Sequence, residues 1–583
     1  MSHVDNDSWQ KHQSNAVKAF LKTAVVIDNQ PWVKSSNRNV HLPISTDTGF
    51  GDENTFVLEN PDVEISEHNE HDLNIRAISD VFAEKGIACA FVLPDDDAGE
   101  ERDSKVNKVL QAAKISDLIV IDWYLERQSS SLTLEILEKI AKADDSDNGR
   151  LRLLCVYTGE PLGEEIFDEI KQYLKRGGVT VNDVSDIDYC AENASTIVIL
   201  RNKTDTQAAT LPDELIRLFT RFSNGLIPAF ALASVGAIRD NTHHMLTRFG
   251  NWLDSSYIAN KLITNPSSDV SEMLRDLFVT ECDNALGLEK ISDKYLSNDI
   301  IKHWVEANSD CIGDCQVNAN YSINRDTILM LLDAGNITDK GFDLPNNSFF
   351  KLAENKRNLI SESLAGGVDN SKKSEYEFGR LVAFKREAFG RSKLTGSADW
   401  TPTLTSGTLL RYCLPEKNKE PMDVEVAEAG ATIIDGERNS ILTVDKSKEI
   451  KYEYLICFTP ACDTLRLKDK TPFVFLKAFE DAKKYSLVVN DDSRCEIHLR
   501  LEQKKPVIRT FDFMPDPETQ KIRAIQDDGD IFSFTDSNGI KFTWLGELRY
   551  SRTSSEMAAL VSNWMRIGIS DSEFIRLAGA GKF

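Results

Sequence analysis

The stretch LIVIDWYLE, residues 118–126, decides how the first third of this chain is read. Large aliphatic residues run from Leu118 through Ile121 without a polar break and end on Asp122. Such a run predicts a parallel strand buried on both faces, since a strand with one wet face would alternate. Asp122 then stands at the C-terminal end of the strand, where open α/β sheets gather their chemistry. Its carboxylate is the candidate reactive group.

Working outward, TAVVID places an apolar strand over Ala24 to Ile27, ending on Asp28 and Asn29. IACAFVLP (87–94), LRLLCVYTGEP (151–161) and STIVILRNKT (195–204) predict further buried strands, the last two ending at Thr158 and Lys203. Helical stripes separate them: Leu73, Ile75, Ile78, Val81 and Phe82; Val106, Val109, Leu110 and Ala113; SLTLEILEKIAKA; and 164–176, stopped by Gly177 and Gly178. Strands alternating with amphipathic helices need right-handed crossovers and give a doubly wound parallel sheet. In the flavodoxin-like order, 2-1-3-4-5, the ends of the first and third strands are neighbours. That order brings Asp28, Asn29 and Asp122 together, with Thr158 and Lys203 beside them. Residues 33–70 are rich in Ser, Asn, Asp, Thr and Pro without a sustained period, and read as a long insertion or lid.

Composition narrows the function classes. At 583 residues the chain exceeds one ordinary core, so on the order of two to four domains is expected. Asp and Glu number 93 against 68 Lys and Arg, a formal charge of −25 that repels phosphate backbones and anionic headgroups. Strong nucleic-acid binding is therefore not expected, and a basic partner or Mg²⁺ at an acidic cluster fits better. The start, MSHVDNDSWQKHQSN, lacks a signal pattern, and no apolar run spans a membrane, so a cytoplasmic protein is expected. The ten cysteines, with Cys89, Cys155 and Cys457 inside apolar strands, read as reduced, small buried residues.

The set Asp28, Asn29, Asp122, Thr158 and Lys203, each at a strand end in this order, resembles the receiver domain of bacterial two-component response regulators, over roughly Phe20 to Thr204. The resemblance implies phosphorylation of Asp122 by a phosphohistidine donor, Mg²⁺ held at Asp28, Asn29 and Asp122, and roles for Thr158 and Lys203 at the phosphoryl group. A metal and a lysine would neutralise the charge on the transferring oxygens, and the Thr158 hydroxyl would draw its loop toward the new phosphoryl group. Asn29 stands where receivers usually carry a second acid, Lys203 lacks the usual following proline, and Arg201 is a competing cation. The triple acid Asp95, Asp96 and Asp97 is a second source of negative charge.

Beyond the receiver-like part (20–205, after a polar segment 1–19), the middle of the chain, 206–397, reads as a helical connector. Apolar residues recur at helical spacing from Leu211 onward, with Pro228 expected to kink or break the run. Further helices are expected at SSDVSEMLRDLFVTECDNALG, DIIKHWVEANSD, DTILMLLDAG and from Tyr376 to Phe389. His243 and His244 are adjacent and face different sides of a helix, and Cys311 with Cys315 lacks a second pair for zinc.

From 398 to 583 short segments rich in Val, Ile, Phe and Thr predict an antiparallel barrel or sandwich closed by a C-terminal helix. Its most specific string, LICFTPACDTLRL, breaks a strand at Pro460 and presents Cys462, Asp463 and Arg466. These read as a nucleophile, half of a metal site, or a structural turn. His498 is the only histidine in this region, so a Cys-His nucleophile must use it.

The fold class expected is thus multidomain: α/β, then α, then β. The receiver-like part, helical connector, GTLL strand and TPACD turn together resemble large "response receiver domain" proteins of bacterial anti-phage (conflict) islands, which stand beside an ATPase or histidine-kinase-like partner. The resemblance implies a regulatory subunit that accepts a phosphoryl group or docks its partner, not a turnover enzyme. A non-catalytic adaptor and a hydrolase or nuclease near Cys462 and Asp463 are the alternatives.

Overall fold

The computed structural model describes residues 2–29, 31–32, 73–94, 101–126, 129–147, 149–318, 321–334, 341–343, 349–351, 354–389, 400–413, 452–493, 495–527 and 531–564. The expected lid at 33–70, the acidic run 95–97, the strand segments 422–427, 431–434 and 439–444, and the chain after 564 lie outside these residues. Two compact units form, Met1–Asn251 with Asp276–Gly366, and Trp252–Arg275 with Gly367–Phe583. These cuts fall elsewhere than the pattern boundaries at 205/206 and 397/398, because the helical middle is shared between the units.

In the first unit, β1 (Thr23–Ile27), β2 (Ala88–Val92), β3 (Leu118–Asp122), β4 (Arg152–Thr158), β5 (Asn182–Asp183), β6 (Cys190–Glu192) and β7 (Thr196–Asn202) form one sheet in the order β2-β1-β3-β4-β7-β6-β5. The first five in that order are parallel, and the β5-β6 hairpin adds antiparallel strands at one edge. Side chains alternate between two cores. Val26, Val120, Cys155 and Ile199 face α2 (Ile75–Glu84) and α6 (Leu211–Phe222), while Val25, Ile119, Leu154 and Val198 face α3 (Arg102–Ala113), α4 (Ser131–Ser146) and α5 (Glu164–Arg176). Burial on both faces is why these strands read as continuous apolar runs. β2 differs from the buried strand expected there: among the described residues it is the sheet's edge, pairs only with β1, and leaves Ala88 and Ala90 exposed.

The helical run from Leu211 breaks before Pro228. α6 ends at Phe222 and α7 (Leu226–Thr247) starts after Gly225, whose φ of +152 suits glycine. Pro228 lies in the first turn of α7, where a backbone N–H has no helical partner to lose. α7 packs along α1 (Ser2–Phe20), and a Cβ on Gly236 would stand 2.5 Å from the Ala19 carbonyl oxygen, so the close approach requires glycine there. Downstream lie α8 (Asp254–Ile263), α9 (Ser268–Leu288), α10 (Ile291–Tyr295), α11 (Asn298–Ala307), α12 (Arg325–Ala334) and α13 (Glu354–Leu364), with α11 also packed on α1. Among the described residues, no helix is long and apolar enough to cross a membrane.

The helix expected from Tyr376 to Phe389 lies earlier, as α14 (Val368–Ala383), and gives way to strand β8 (Phe384–Glu387). Nothing in FKRE opposes helix by composition. The strand forms because Phe384 reaches the core and Arg386 and Glu387 pair with Glu547 and Gly546 of the last strand in sequence, a tertiary override of local preference. The second unit's sheet is antiparallel and ten-stranded. It comprises β8, β9 (Thr408–Cys413), β10 (Tyr452–Cys457), β11 (Thr471–Glu480), β12 (Leu487–Asn490), β13 (Glu496–Leu501), β14 (Ile508–Phe513), β15 (Ile525–Gln526), β16 (Phe532–Thr535) and β17 (Lys541–Leu548). Its strand path is β12-β13-β11-β10-β9-β17-β16-β15, with β8 on β17 and β14 on β11. Leu409, Ile456 and Leu545 belong to the core that takes in Leu560 of the terminal helix α15 (Tyr550–Trp564), while Leu410, Leu455 and Trp544 build the opposite core with Phe473, Phe513 and Phe542.

Candidate functional site

The C-terminal edge of the parallel sheet places the strand-end residues side by side. β1 and β3 pair in register up to Ile27 opposite Ile121, so Asp28 and Asp122 leave the sheet at one level. Lys203, one residue past β7, reaches back across β4: its Nζ lies 2.9 Å from Asp28 Oδ2 and 2.8 Å from Asp122 Oδ1. Asp28 and Asp122 are buried, the Lys203 side chain is 5% exposed, and its ammonium also stands 5.9 Å from the centre of the Tyr157 ring. Burial alone would lower the Lys203 pKa; the carboxylates of Asp28 and then Asp122 outweigh it and hold the pKa above the usual lysine value.

The second Asp122 oxygen, Oδ2, accepts the Tyr124 backbone N–H at 3.0 Å. The Thr133 hydroxyl donates to the Asp122 carbonyl oxygen at 2.8 Å, which fixes the turn after β3 against the start of α4. Asn29 Nδ2 donates to the Leu125 carbonyl at 3.1 Å, and that orientation leaves Oδ1 buried with no hydrogen-bond partner among the described residues. Thr158 Oγ1 accepts the Glu160 N–H at 3.0 Å, so its own O–H remains a donor. The Lys203 N–H donates to the Thr158 carbonyl at 2.7 Å and ties the two loops together.

Of the sequence candidates, Asp28, Asp122 and Lys203 touch directly, Thr158 is joined to Lys203 through the backbone, and Asn29 borders the same turn. Arg201 points elsewhere, its Nε 2.7 Å from Glu214 Oε1. The sequence reading missed the supporting groups. Asn202 donates to the Glu160 carbonyl at 2.7 Å and accepts from the Thr204 N–H at 2.7 Å, which anchors the loop carrying Lys203. Tyr157 donates to the Thr206 carbonyl at 2.5 Å, and burial pushes its phenol pKa up. An Asn beside a strand-end Lys was a signal for a loop anchor; nothing in the sequence singled out Thr133.

The fit of Mg²⁺ rests on the donor atoms. Two carboxylates and the unpartnered Asn29 amide oxygen are hard oxygen donors of the kind Mg²⁺ accepts alongside waters and phosphate oxygens. Among the described residues, this edge included, no three His, Cys, Asp or Glu side chains group as a metal site. The ten cysteines are free, with Cys155 and Cys457 buried and Cys89 half-buried.

In the second unit, Cys462, Asp463 and Arg466 occupy the turn after β10. Cys462 is exposed and its thiol lies 3.4 Å from Asp463 Oδ1. Arg466, at φ +58, pairs with Asp269 at 3.1 Å. His498 is stacked on Tyr485 at 4.7 Å and lies against Tyr376 at 4.9 Å. The thiol's contact is thus the adjacent carboxylate, and the imidazole's contacts are rings.

Residues 20–208 match the family model described as "Response receiver domain". No curated protein and no solved structure matches the chain. The parallel sheet with its charged C-terminal edge is therefore a response receiver domain, set in the N-terminal part of a 583-residue protein.

Proposed function

We propose that this protein is a signal-receiving regulator in which Asp122 accepts a phosphoryl group from a histidine-kinase-like partner. The observation that carries this reading is one ammonium, Lys203, shared by two buried strand-end carboxylates, Asp28 and Asp122. An Asp122 oxygen forms the new O–P bond as the donor's N–P bond breaks, and the electron pair leaves on the imidazole nitrogen. Lys203 is placed to stabilise charge on the transferring oxygens, and the Thr158 O–H to donate to the product. Asp28, Asp122 and Asn29 Oδ1 are the groups that would hold Mg²⁺, which supplies further charge neutralisation when bound. Phosphorylation removes the acid from the Lys203 bridge and adds acceptor oxygens at the loop carrying Thr158, a change a partner can read.

The finer reading is a two-component-like regulator of anti-phage defence, phosphorylated or docked by an ATPase partner in the cytoplasm. Its support is the similarity of the whole arrangement, receiver domain followed by helical and β-rich parts, to proteins of that kind. A second reading, docking without phosphoryl transfer, is favoured by one observation: the neutral Asn29 leaves the pocket one acid short.

Incubation with acetyl phosphate and Mg²⁺, followed by intact-mass spectrometry, separates them. The phosphoacceptor reading expects one added phosphoryl group on the wild type and none on Asp122→Asn. An unmodified wild type, with Asp122→Asn still capturing the partner ATPase, leaves the docking reading.

A further inference from the structure

We propose that the cleft between α1, α6 and α11, at the flank of the receiver domain, binds a small phosphate-bearing ligand of nucleotide size. The cleft has a volume of about 530 Å³, within the roughly 300–1,000 Å³ typical of small-molecule sites. Its inner wall is already fixed. Trp9, 3% exposed, donates from Nε1 to Asn224 Oδ1 at 3.1 Å. Gln13, also 3% exposed, holds the Gly225 backbone in both directions, each hydrogen bond 3.2 Å long.

The polar groups that remain face a ligand. Asn224 has given its oxygen to Trp9, which leaves its amide N–H₂ as donor. Asn308 has donated its amide to the Trp304 carbonyl at 2.8 Å, which leaves its oxygen as acceptor. A donor and an acceptor on one wall suit a heterocycle or a sugar.

The rim supplies charge. Lys18 and Arg217 line the cleft, are exposed, and have no ion pair among the described residues. The other charges are committed: Arg221 pairs with Asp186, and Asp213 with Lys85 at 2.7 Å. In a chain of net charge −25, two unpaired cations over a preformed polar cleft select an anion. The pair of cations favours a phosphate over a lone carboxylate, since a phosphate carries more than one negative charge near neutral pH and has oxygens enough to meet both the Arg217 fork and the Lys18 point charge.

Calorimetric titration of the full chain in EDTA with ATP, inorganic pyrophosphate and adenosine tests this. ATP should bind at one site and adenosine at least about ten-fold more weakly. Lys18→Ala and Arg217→Ala, both surface changes, should each weaken ATP roughly ten-fold, while Lys468→Ala, an exposed lysine of the second unit, should leave the ATP affinity as it is. Absence of ATP and pyrophosphate binding up to millimolar concentration overturns the proposal. So does binding indifferent to Lys18 and Arg217, or a phosphoserine peptide that binds there with no competition from ATP.

Discussion

The two ends of the parallel sheet in the receiver domain each hold a buried carboxylate against a cation, and they treat it in opposite ways. At the N-terminal edge Asp117 is saturated: Oδ2 accepts from the Lys22 N–H (3.1 Å), the Thr23 N–H (3.3 Å) and the Thr23 hydroxyl (3.1 Å), and Arg239 spans both oxygens at 3.0 and 3.1 Å. At the C-terminal edge Asp122 receives one backbone N–H and half of a lysine that it shares with Asp28. The first arrangement spends a carboxylate on structure, tying α7 to the sheet. The second keeps a carboxylate whose partner is mobile in charge terms, with one cation for two acids. Saturation marks a strut, and a shared cation marks a group that can exchange its partner.

The comparison breaks if both acids respond alike to removal. Asp117→Ala leaves the Arg239 guanidinium with the Phe20 carbonyl but no carboxylate, and the Lys22 and Thr23 N–H groups without this acceptor, and should cost about 3 kcal/mol in urea unfolding. Asp122→Asn keeps an acceptor for Tyr124 and relieves the competition for Lys203, so its stability should stay within about 1 kcal/mol of wild type. Equal losses at the two sites would mean that Asp122 is a strut as well.

A smaller and pH-dependent effect is expected at Lys203. Lys203→Met leaves Asp28 and Asp122 buried without a cation and should cost about 2 kcal/mol near pH 8. In the wild type the sign is fixed by the raised pKa of Lys203. The contribution of the bridge is complete below the unfolded lysine value of about 10.4 and is lost as pH rises through the higher folded value. Wild type should therefore destabilise above about pH 10.4 through this bridge, and Lys203→Met should lack that component. Parallel alkaline profiles for the two proteins would show that the bridge contributes nothing.

The C-terminal edge was legible in the sequence because strands buried on both faces are unbroken apolar runs, and the first polar residue after each run must lie at the sheet's end. Asp28, Asp122 and Thr158 were found that way, whereas Lys203 follows Arg201 and Asn202 and was singled out by the resemblance to receivers. The N-terminal edge was not legible. Asp117 precedes its strand as an ordinary polar residue, and its partner Arg239 lies on a helix 122 positions away, a contact that only packing of α7 specifies. The same limit explains β8, where FKRE carries no strand signal until β17 is beside it, and β2, whose apolar run did not reveal that it stands at an edge. Pro228 was read as a break, although proline at the start of a helix and proline inside one look alike without the position of the preceding turn.

The smallest effect sharpens the comparison at Asn29. Its amide donates to the Leu125 carbonyl while its oxygen has no partner among the described residues. Asn29→Asp exchanges that donor for a carboxylate oxygen facing the carbonyl, so without metal it should cost about 1 kcal/mol. The same change adds a third acid to a pocket holding one cation, and should tighten Mg²⁺ roughly ten-fold. Titrating Mg²⁺ against thermal unfolding reads both parts at once: the variant starts below wild type and its midpoint climbs at lower Mg²⁺ concentration. Two curves separated by a constant offset would place the Asn29 oxygen outside the metal's reach. Crossing curves would show that the C-terminal edge takes up positive charge in proportion to the number of its acids, which the saturated Asp117 edge cannot do.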